Sequence, residues 1–422
     1  MKKHYRFFCL LAAGTLLVAC NKEYDTENFA NNEADNETES IYTRAFAEPD
    51  GSKHLNGTPS ENLKALFDVT DPDMVRSLGR MNITESQYDD IKIFTDDLVA
   101  NDETQTEKYQ TIFKWLSRNI TFNDYSNPAW HYLTNDPYDV FINRVAVCEG
   151  YSNLMVVMCH SQEIPAVVVN GNLATQWYDL GHAWVYTCPD KVWTVSDPTN
   201  GGSWKMDNLS GYTHLKPMMA DVDFFKNEVG VFNYFDYAIN LKEVTTTEPI
   251  LTVPYSVNGF VISSFNPSVT LPEGLTEIYL GQNITTLGET YNMGLLNYDT
   301  SVQAIYVDEN NPTLMDNKGI VYKKNGGDPQ LYYIPAGMTF IELLPMKLVD
   351  KNTIYNHMNV EEIYFPEGTK RLENYAIENC PKLKRIYIPA DAEVAKEALY
   401  NCPQNVEIIR GAPSCIHNIT MD

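Results

Sequence analysis

Cationic side chains are scarce in this sequence: 31 Lys and Arg stand against 56 Asp and Glu, a formal net charge of -25 over 422 residues. Phosphate backbones and anionic headgroups are held by clustered Lys and Arg, so nucleic acid and acidic membrane surfaces are poor partners for this chain. Cysteine is sparse too, with 8 in the whole chain, too few for a disulfide-built fold of this length. Beyond the first twenty residues no stretch is long and apolar enough to cross a bilayer, and no loop has the EF-hand spacing of calcium ligands. What the chain does have is apolar material, 44% hydrophobic and 12% aromatic, ample for packed cores.

Chemistry concentrates between Val147 and Asp197. Cys148 opens a helical pattern in which Leu154, Val157, Met158 and Ser161 recur, and Ile164-Pro165 stops it. In the first turn, unpaired N–H groups and the positive end of the dipole favour a thiolate, the attacking form of cysteine. Cys159, beside Met158 on the same pattern, fits a small buried hydrophobe instead. His182–Cys188 and Lys191–Asp197 are aromatic and β-branched runs separated by Pro189-Asp190, which predicts a hairpin. With 188 opposite 191, His182 falls opposite Asp197 on the same face, their Cβ atoms about 4.5–5.5 Å apart. A carboxylate there fixes the imidazole tautomer and stabilises the imidazolium. Asp190 is the competing carboxylate, assigned to the turn.

These blocks, Val147-Cys148-Glu149-Gly150-Tyr151-Ser152, Gly181-His182-Ala183-Trp184 and Asp197-Pro198-Thr199, resemble the three signatures of the transglutaminase-like superfamily over roughly residues 100–240. The resemblance implies a papain-like cysteine core with Cys148 as nucleophile, His182 as base and Asp197 as orienter. It fixes the machinery more firmly than the substrate, since the superfamily contains acyltransferases, peptidases, amidases and inactive members.

Lys2, Lys3 and Arg6 precede an apolar run from Phe7 to Ala19, too short to span and read as a signal peptide over residues 1–19. Leu17-Val18-Ala19-Cys20 resembles a bacterial lipobox, making Cys20 the lipidated residue. Lys22-Glu23-Tyr24-Asp25 resembles the acidic export signal of Bacteroidetes surface lipoproteins. Residues 20–59, rich in Asn, Glu, Asp and Thr, are expected to be a disordered acidic tether.

Residues 60–120 read as helices. Thr84-Glu85-Ser86-Gln87 and Thr104-Gln105-Thr106-Glu107 are capping-box patterns, followed by core stripes Ile91, Phe94, Leu98 and Tyr109, Ile112, Phe113, Leu116. Trp130 is a candidate for lining an acyl pocket or donating to an oxyanion, with the Cys148 backbone N–H the first donor. His131 is assigned to the surface.

Beyond residue 246 short strands recur: Glu277–Leu280, Ala304–Val307, Leu331–Ile334, Glu362–Phe365, Arg385–Ile388 and Val406–Ile409. Spacings near 27 and then 23 and 22 signal stacked units that bury their apolar faces only against neighbours. Asn379-Cys380-Pro381 and Asn401-Cys402-Pro403 recur at equivalent places, favouring stacked structural cysteines over metal ligands. Over roughly residues 260–411, irregular near 340–355, the array resembles the BspA-type leucine-rich repeat, which implies a ligand- or protein-binding role.

The expected fold class is α+β: a transglutaminase-like core of helices plus antiparallel sheet over residues 60–245, then a leucine-rich-repeat solenoid over 246–422. The expected function is that of a lipoprotein anchored in the outer membrane at the cell surface, acting on amide bonds of a protein or peptide through a thioester. A host or cell-surface protein is the expected partner of the repeats. No metal or organic cofactor is required by this chemistry. The alternative is a non-catalytic adhesin with a vestigial triad.

Overall fold

The computed structural model describes residues 46–75, 81–174, 179–205, 214–265, 271–287 and 301–413. The signal segment, Cys20, most of the tether and Cys415 lie outside them. The chain divides into two compact units, one built on residues 44–338 and one on residues 339–355 and 359–422.

In the first unit, capping boxes start three helices: α1 (Pro59–Phe67), α2 (Glu85–Leu98) and α3 (Gln105–Asn119). In each, the Thr hydroxyl accepts from the N3 backbone N–H while the N3 side chain accepts from the Thr N–H. Helix α4 (Pro137–Asn143) is capped by Asp136 and ends on Arg144 in the left-handed region, and α5 (Cys148–Ser161) follows.

An eight-stranded sheet is the frame. Its strands are β1 (Ala166–Ala174), β2 (Asp179–Thr187), β3 (Thr194–Asp197), β4 (Gly202–Lys205), β5 (Leu215–Lys226), β6 (Gly230–Phe235), β7 (Ala238–Val244) and β8 (Ser264–Phe265). They lie in the order β8-β7-β6-β5-β1-β2-β3-β4, antiparallel except where β8 runs parallel to β7. Period-two alternation splits the apolar residues between two cores. Ala166, Val168, Ala183 and Val185 pack with Ile91, Ile112, Leu116, Leu154 and Met158 of the helices. Val167, Val169, Trp184 and Tyr186 face the other way, toward Leu63, Leu66 and Phe67 of α1.

That second core continues past residue 246 through Leu251, Phe265, Ile278, Ile305 and Val321. Ile250–Thr252, Glu277–Leu280 and Ala304–Val307 form a parallel ladder with Leu251, Ile278 and Ile305 in register. Residues 46–55, read from composition as the end of the tether, are instead tied to this region. Lys53 N–H donates to Gly259 O at 2.9 Å, Val261 N–H to Lys53 O at 3.0 Å, and the Phe46 ring sits 5.5 Å from Tyr279.

The stretch around Leu331 departs from expectation. Leu314–Asn317, Ile320–Lys323 and Gln330–Tyr333 form an antiparallel meander, so it is not a rung of the repeat ladder. Lys318 (φ 51°) and Gly319 (φ 81°) are the cause: two left-handed residues between paired Asn317 and Ile320 make the hairpin turn that matches strand twist.

In the second unit three parallel ladders stack coil on coil. Ile341, Ile363, Ile386 and Ile408 are in register, as are Val349, Leu372 and Val394, and Ile354, Ile377 and Leu399. The stretch near 340–355, expected to be irregular, is the first regular coil, because Ile341, Val349 and Ile354 are all fully buried.

Candidate active site

Helix α5 begins at Cys148 itself, after an extended Val147 with no side-chain cap. The first-turn N–H groups and the positive helix end therefore fall on the thiol. The helix is pinned at this end: Tyr151 OH donates to Ile120 O at 2.5 Å and Ser152 Oγ to Cys148 O at 2.9 Å. Gly150 is needed for close approach, since a Cβ there would lie 2.7 Å from Ala146 Cβ and 2.9 Å from Val140 Cγ2.

His182 lies on β2. The ladder with β3 pairs Thr187 with Thr194, Tyr186 with Val195 and Val185 with Ser196, two residues out of step with the expected hairpin. Residues 189–191 form a 3-10 turn in which Asp190 (φ 48°) and Lys191 (φ 62°) are left-handed, so the connection is longer than the sequence pattern indicated. A one-residue slip would have flipped Asp197 to the other face; an even one does not. Asp197 therefore meets His182 diagonally, Nε2 to Oδ2 at 3.0 Å, with side chains 7% and 0% exposed.

With Nε2 on Asp197, Nδ1 is left for Cys148, whose sulfur takes hydrogen bonds from His182 and from the Ala183 N–H. Burial alone would raise the thiol pKa; these hydrogen bonds and the imidazolium charge outweigh it, and the net direction is down. Burial disfavours the imidazolium, but the hydrogen bonds to Asp197 and Cys148 lift the His182 pKa from 6.5 to about 9. Burial also works against the Asp197 carboxylate, which His182 and Asn200 nevertheless hold below its ordinary range. All three shifts favour a thiolate–imidazolium pair beside an ionised carboxylate.

Sequence reasoning missed Asn200. Its Nδ2 donates to Asp197 Oδ2 at 2.8 Å, its backbone N–H to Oδ1 at 3.2 Å, and Nδ2 lies 3.5 Å from His182 Nε2. The signal was an Asn three residues after the Asp, which read as ordinary turn composition. The other candidates lie apart from this cluster. Cys159 and Cys188 are buried, burial raising both thiols, Cys188 to about 12. Asp190 accepts from Thr106 N–H at 3.0 Å and from its hydroxyl at 2.6 Å, at the start of α3. Trp130 closes a 3-10 turn, its carbonyl accepting from Asn123 Nδ2 at 3.2 Å, and exposed His131 pairs with Tyr125 O at 2.9 Å. A cavity of about 510 Å³ runs along α5, lined by Glu149, Asn153, Asn170, Asp136 and Asp221 among others.

Residues 92–198 match the model of the transglutaminase-like superfamily, and residues 341–419 match six copies of the BspA type leucine rich repeat region. The chain thus carries a transglutaminase-like domain followed by BspA-type repeats. No curated protein matches it. Among solved structures it is similar to a candidate cysteine protease from Cytophaga hutchinsonii (16% identity, TM-score 0.24), covering 38% of this chain and 57% of that one. It is similar to the periplasmic domain of TgpA from Pseudomonas aeruginosa (19%, TM-score 0.23; 28% and 49% covered). A leucine rich cell surface protein from Faecalibacterium prausnitzii is also similar (14%, TM-score 0.23; 43% and 62% covered). The chain therefore spans less than two thirds of each of these proteins, and likenesses this distant define no activity.

Proposed function

We propose that this chain is a cysteine acyl-transfer enzyme acting on amide bonds of a protein or peptide, with Cys148, His182 and Asp197 as its catalytic residues. The observation that carries the reading is the buried His182–Asp197 pair, Nε2 to Oδ2 at 3.0 Å, with Cys148 at the start of α5 held below its ordinary pKa by His182. The thiolate attacks the carbonyl carbon, and the developing oxyanion meets the Cys148 backbone N–H. The imidazolium gives its proton to the leaving amine as the C–N bond breaks, leaving a thioester. Water or a second amine, deprotonated by His182, then attacks the thioester and Cys148 departs as thiolate.

The repeats would supply partner binding. Tyr355 and Tyr400 are 36% and 49% exposed, and the Tyr375 and Tyr400 rings meet edge-on at 5.0 Å, a contact surface of the kind recognition favours. Cys20 would anchor the chain by lipid to the outer membrane, displayed at the surface.

Turnover of a peptide-amide library tests the enzyme: hydrolysis or amine incorporation that disappears in Cys148→Ser is the expected result. Partner binding that persists in that variant, with no amide ever turned over by the wild type, would favour the adhesin. Cys20→Ala should release the folded protein from membranes.

A further inference from the structure

A second thiol pair lies in the solenoid, outside the cysteine–histidine–aspartate cluster. Ladder register pairs Ile377 with Leu399 and Glu378 with Tyr400, so Cys380 and Cys402 stand one coil apart at equivalent positions. Each follows an Asn in the left-handed region, Asn379 at φ 56° and Asn401 at φ 50°. The two turns are tied directly, Asn401 Nδ2 donating to Asn379 Oδ1 at 2.5 Å. Neighbouring strands of a ladder lie about 4.8 Å apart, within the roughly 4.4–6.8 Å between Cα atoms that a disulfide bridges.

Both side chains are thiols on adjacent coils. Neither cysteine is in a disulfide; the Cys380 thiol donates to Glu378 O at 3.6 Å and the Cys402 thiol to Tyr400 O at 3.4 Å. The Cys402 thiol also reaches Ile377 O in the preceding coil at 3.8 Å. Their surroundings differ: Cys380 is 0% exposed, while Cys402 is half-buried. One thiol is thus open to a reagent and the other sits behind it, the arrangement of an attacking and a resolving cysteine.

We propose that Cys402 and Cys380 form a dithiol switch, in which Cys402 attacks a small-molecule disulfide and Cys380 converts the mixed disulfide into an intrachain bond. In the first step the Cys402 thiolate bonds to one sulfur of the reagent, the reagent's S–S bond breaks, and one thiolate leaves and is protonated. In the second, Cys380 loses its proton and attacks the Cys402 sulfur, expelling the second reagent thiol. Two protein thiols are oxidised and one reagent disulfide is reduced to two thiols, so nothing beyond that disulfide is consumed. Cys380 beside it holds the Cys402 pKa below that of an ordinary thiol, against burial and the nearby Glu378 charge, which favours the attacking thiolate.

The test uses the full chain with oxidised glutathione at neutral pH, followed by iodoacetamide, trypsin and mass spectrometry. The expected product is a crosslink between the peptides spanning 372–382 and 397–410, with both cysteines lost from the alkylated pool and recovered by reductant. Cys380→Ser should trap glutathione on Cys402, and Cys402→Ser should leave Cys380 unmodified. The wild-type map carries the test even if neither variant folds. Alkylation of both cysteines after millimolar oxidised glutathione, a stable mixed disulfide in the wild type, or linkage of Cys402 to Cys415 would each overturn the proposal.

Discussion

Asn200 Nδ2 and His182 Nε2 converge on a single atom, Asp197 Oδ2, at 2.8 and 3.0 Å. Asp197 is therefore oriented from two directions, and it has no exposed surface from which water could replace either donor. Asn200→Ala is expected to lower kcat about 10-fold, the equivalent of one hydrogen bond to a charged group. Its KM should hold, because Asn200 acts through Asp197. The alkaline limb of the rate profile should also move to lower pH, since a less constrained carboxylate stabilises the imidazolium less. An unchanged limb would assign Asn200 to the turn alone.

A pH signature follows from the same cluster. The His182 pKa is raised from 6.5 to about 9, so its proton contributes stability in full below pH 6.5 and loses it as pH climbs through about 9. Asp197, depressed, contributes above its ordinary range and loses that contribution as pH falls through its lowered value. The gap in thermal midpoint between wild type and His182→Gln should be widest from about pH 5 to 6.5 and close by about pH 10. A constant gap over that span would contradict the ion pair. Turnover should fail on the alkaline side near the same pH, where the leaving amine loses its proton donor.

Thiol reactivity should rank the cysteines. At neutral pH iodoacetamide should modify Cys148 about 100-fold faster than buried Cys159 or Cys188, whose thiols burial raises. His182→Ala should slow Cys148 about 10-fold, as the charge that favours the thiolate is removed. Equal rates for Cys148 in the two proteins would show that the helix end alone activates it.

Truncation should distinguish the two possible boundaries. Ending the chain at residue 245 strips Leu251, Phe265, Ile278, Ile305 and Val321 from the core shared with α1 and removes edge strand β8. That protein should be insoluble or lack a cooperative melt. Ending it at residue 338 keeps that core intact and should preserve both the melt and Cys148 alkylation. A folded, reactive 1–245 fragment would contradict this.

The placing of Cys148 at a helix start was legible in the sequence because a helix declares itself by period, and this pattern has one clear start and one Pro-marked stop. The hairpin was legible in face but not in register. Its loop length depends on Asp190 and Lys191 adopting left-handed conformations, which neither residue type demands. Asn200 was hidden because Asn in a turn is common for reasons unrelated to catalysis. The run at Leu331 was misread for a different reason: parallel and antiparallel strands share a two-residue period. There the Lys318-Gly319 turn was the discriminating signal. The solenoid's later coils were the plainest feature, since register repeats make one apolar position predict the next.

Leu63 and Val321 belong to one core, although the chain between them makes up most of the first unit. At roughly 5–20 residues per second of synthesis, the first helix emerges tens of seconds before its last packing partners exist. Over that interval the nascent chain holds α1 and the apolar face of the sheet without their full cover. Cys148, by contrast, packs on the core whose last residue is Val185, so its surroundings can assemble while the opposite face of the sheet still waits for its cover.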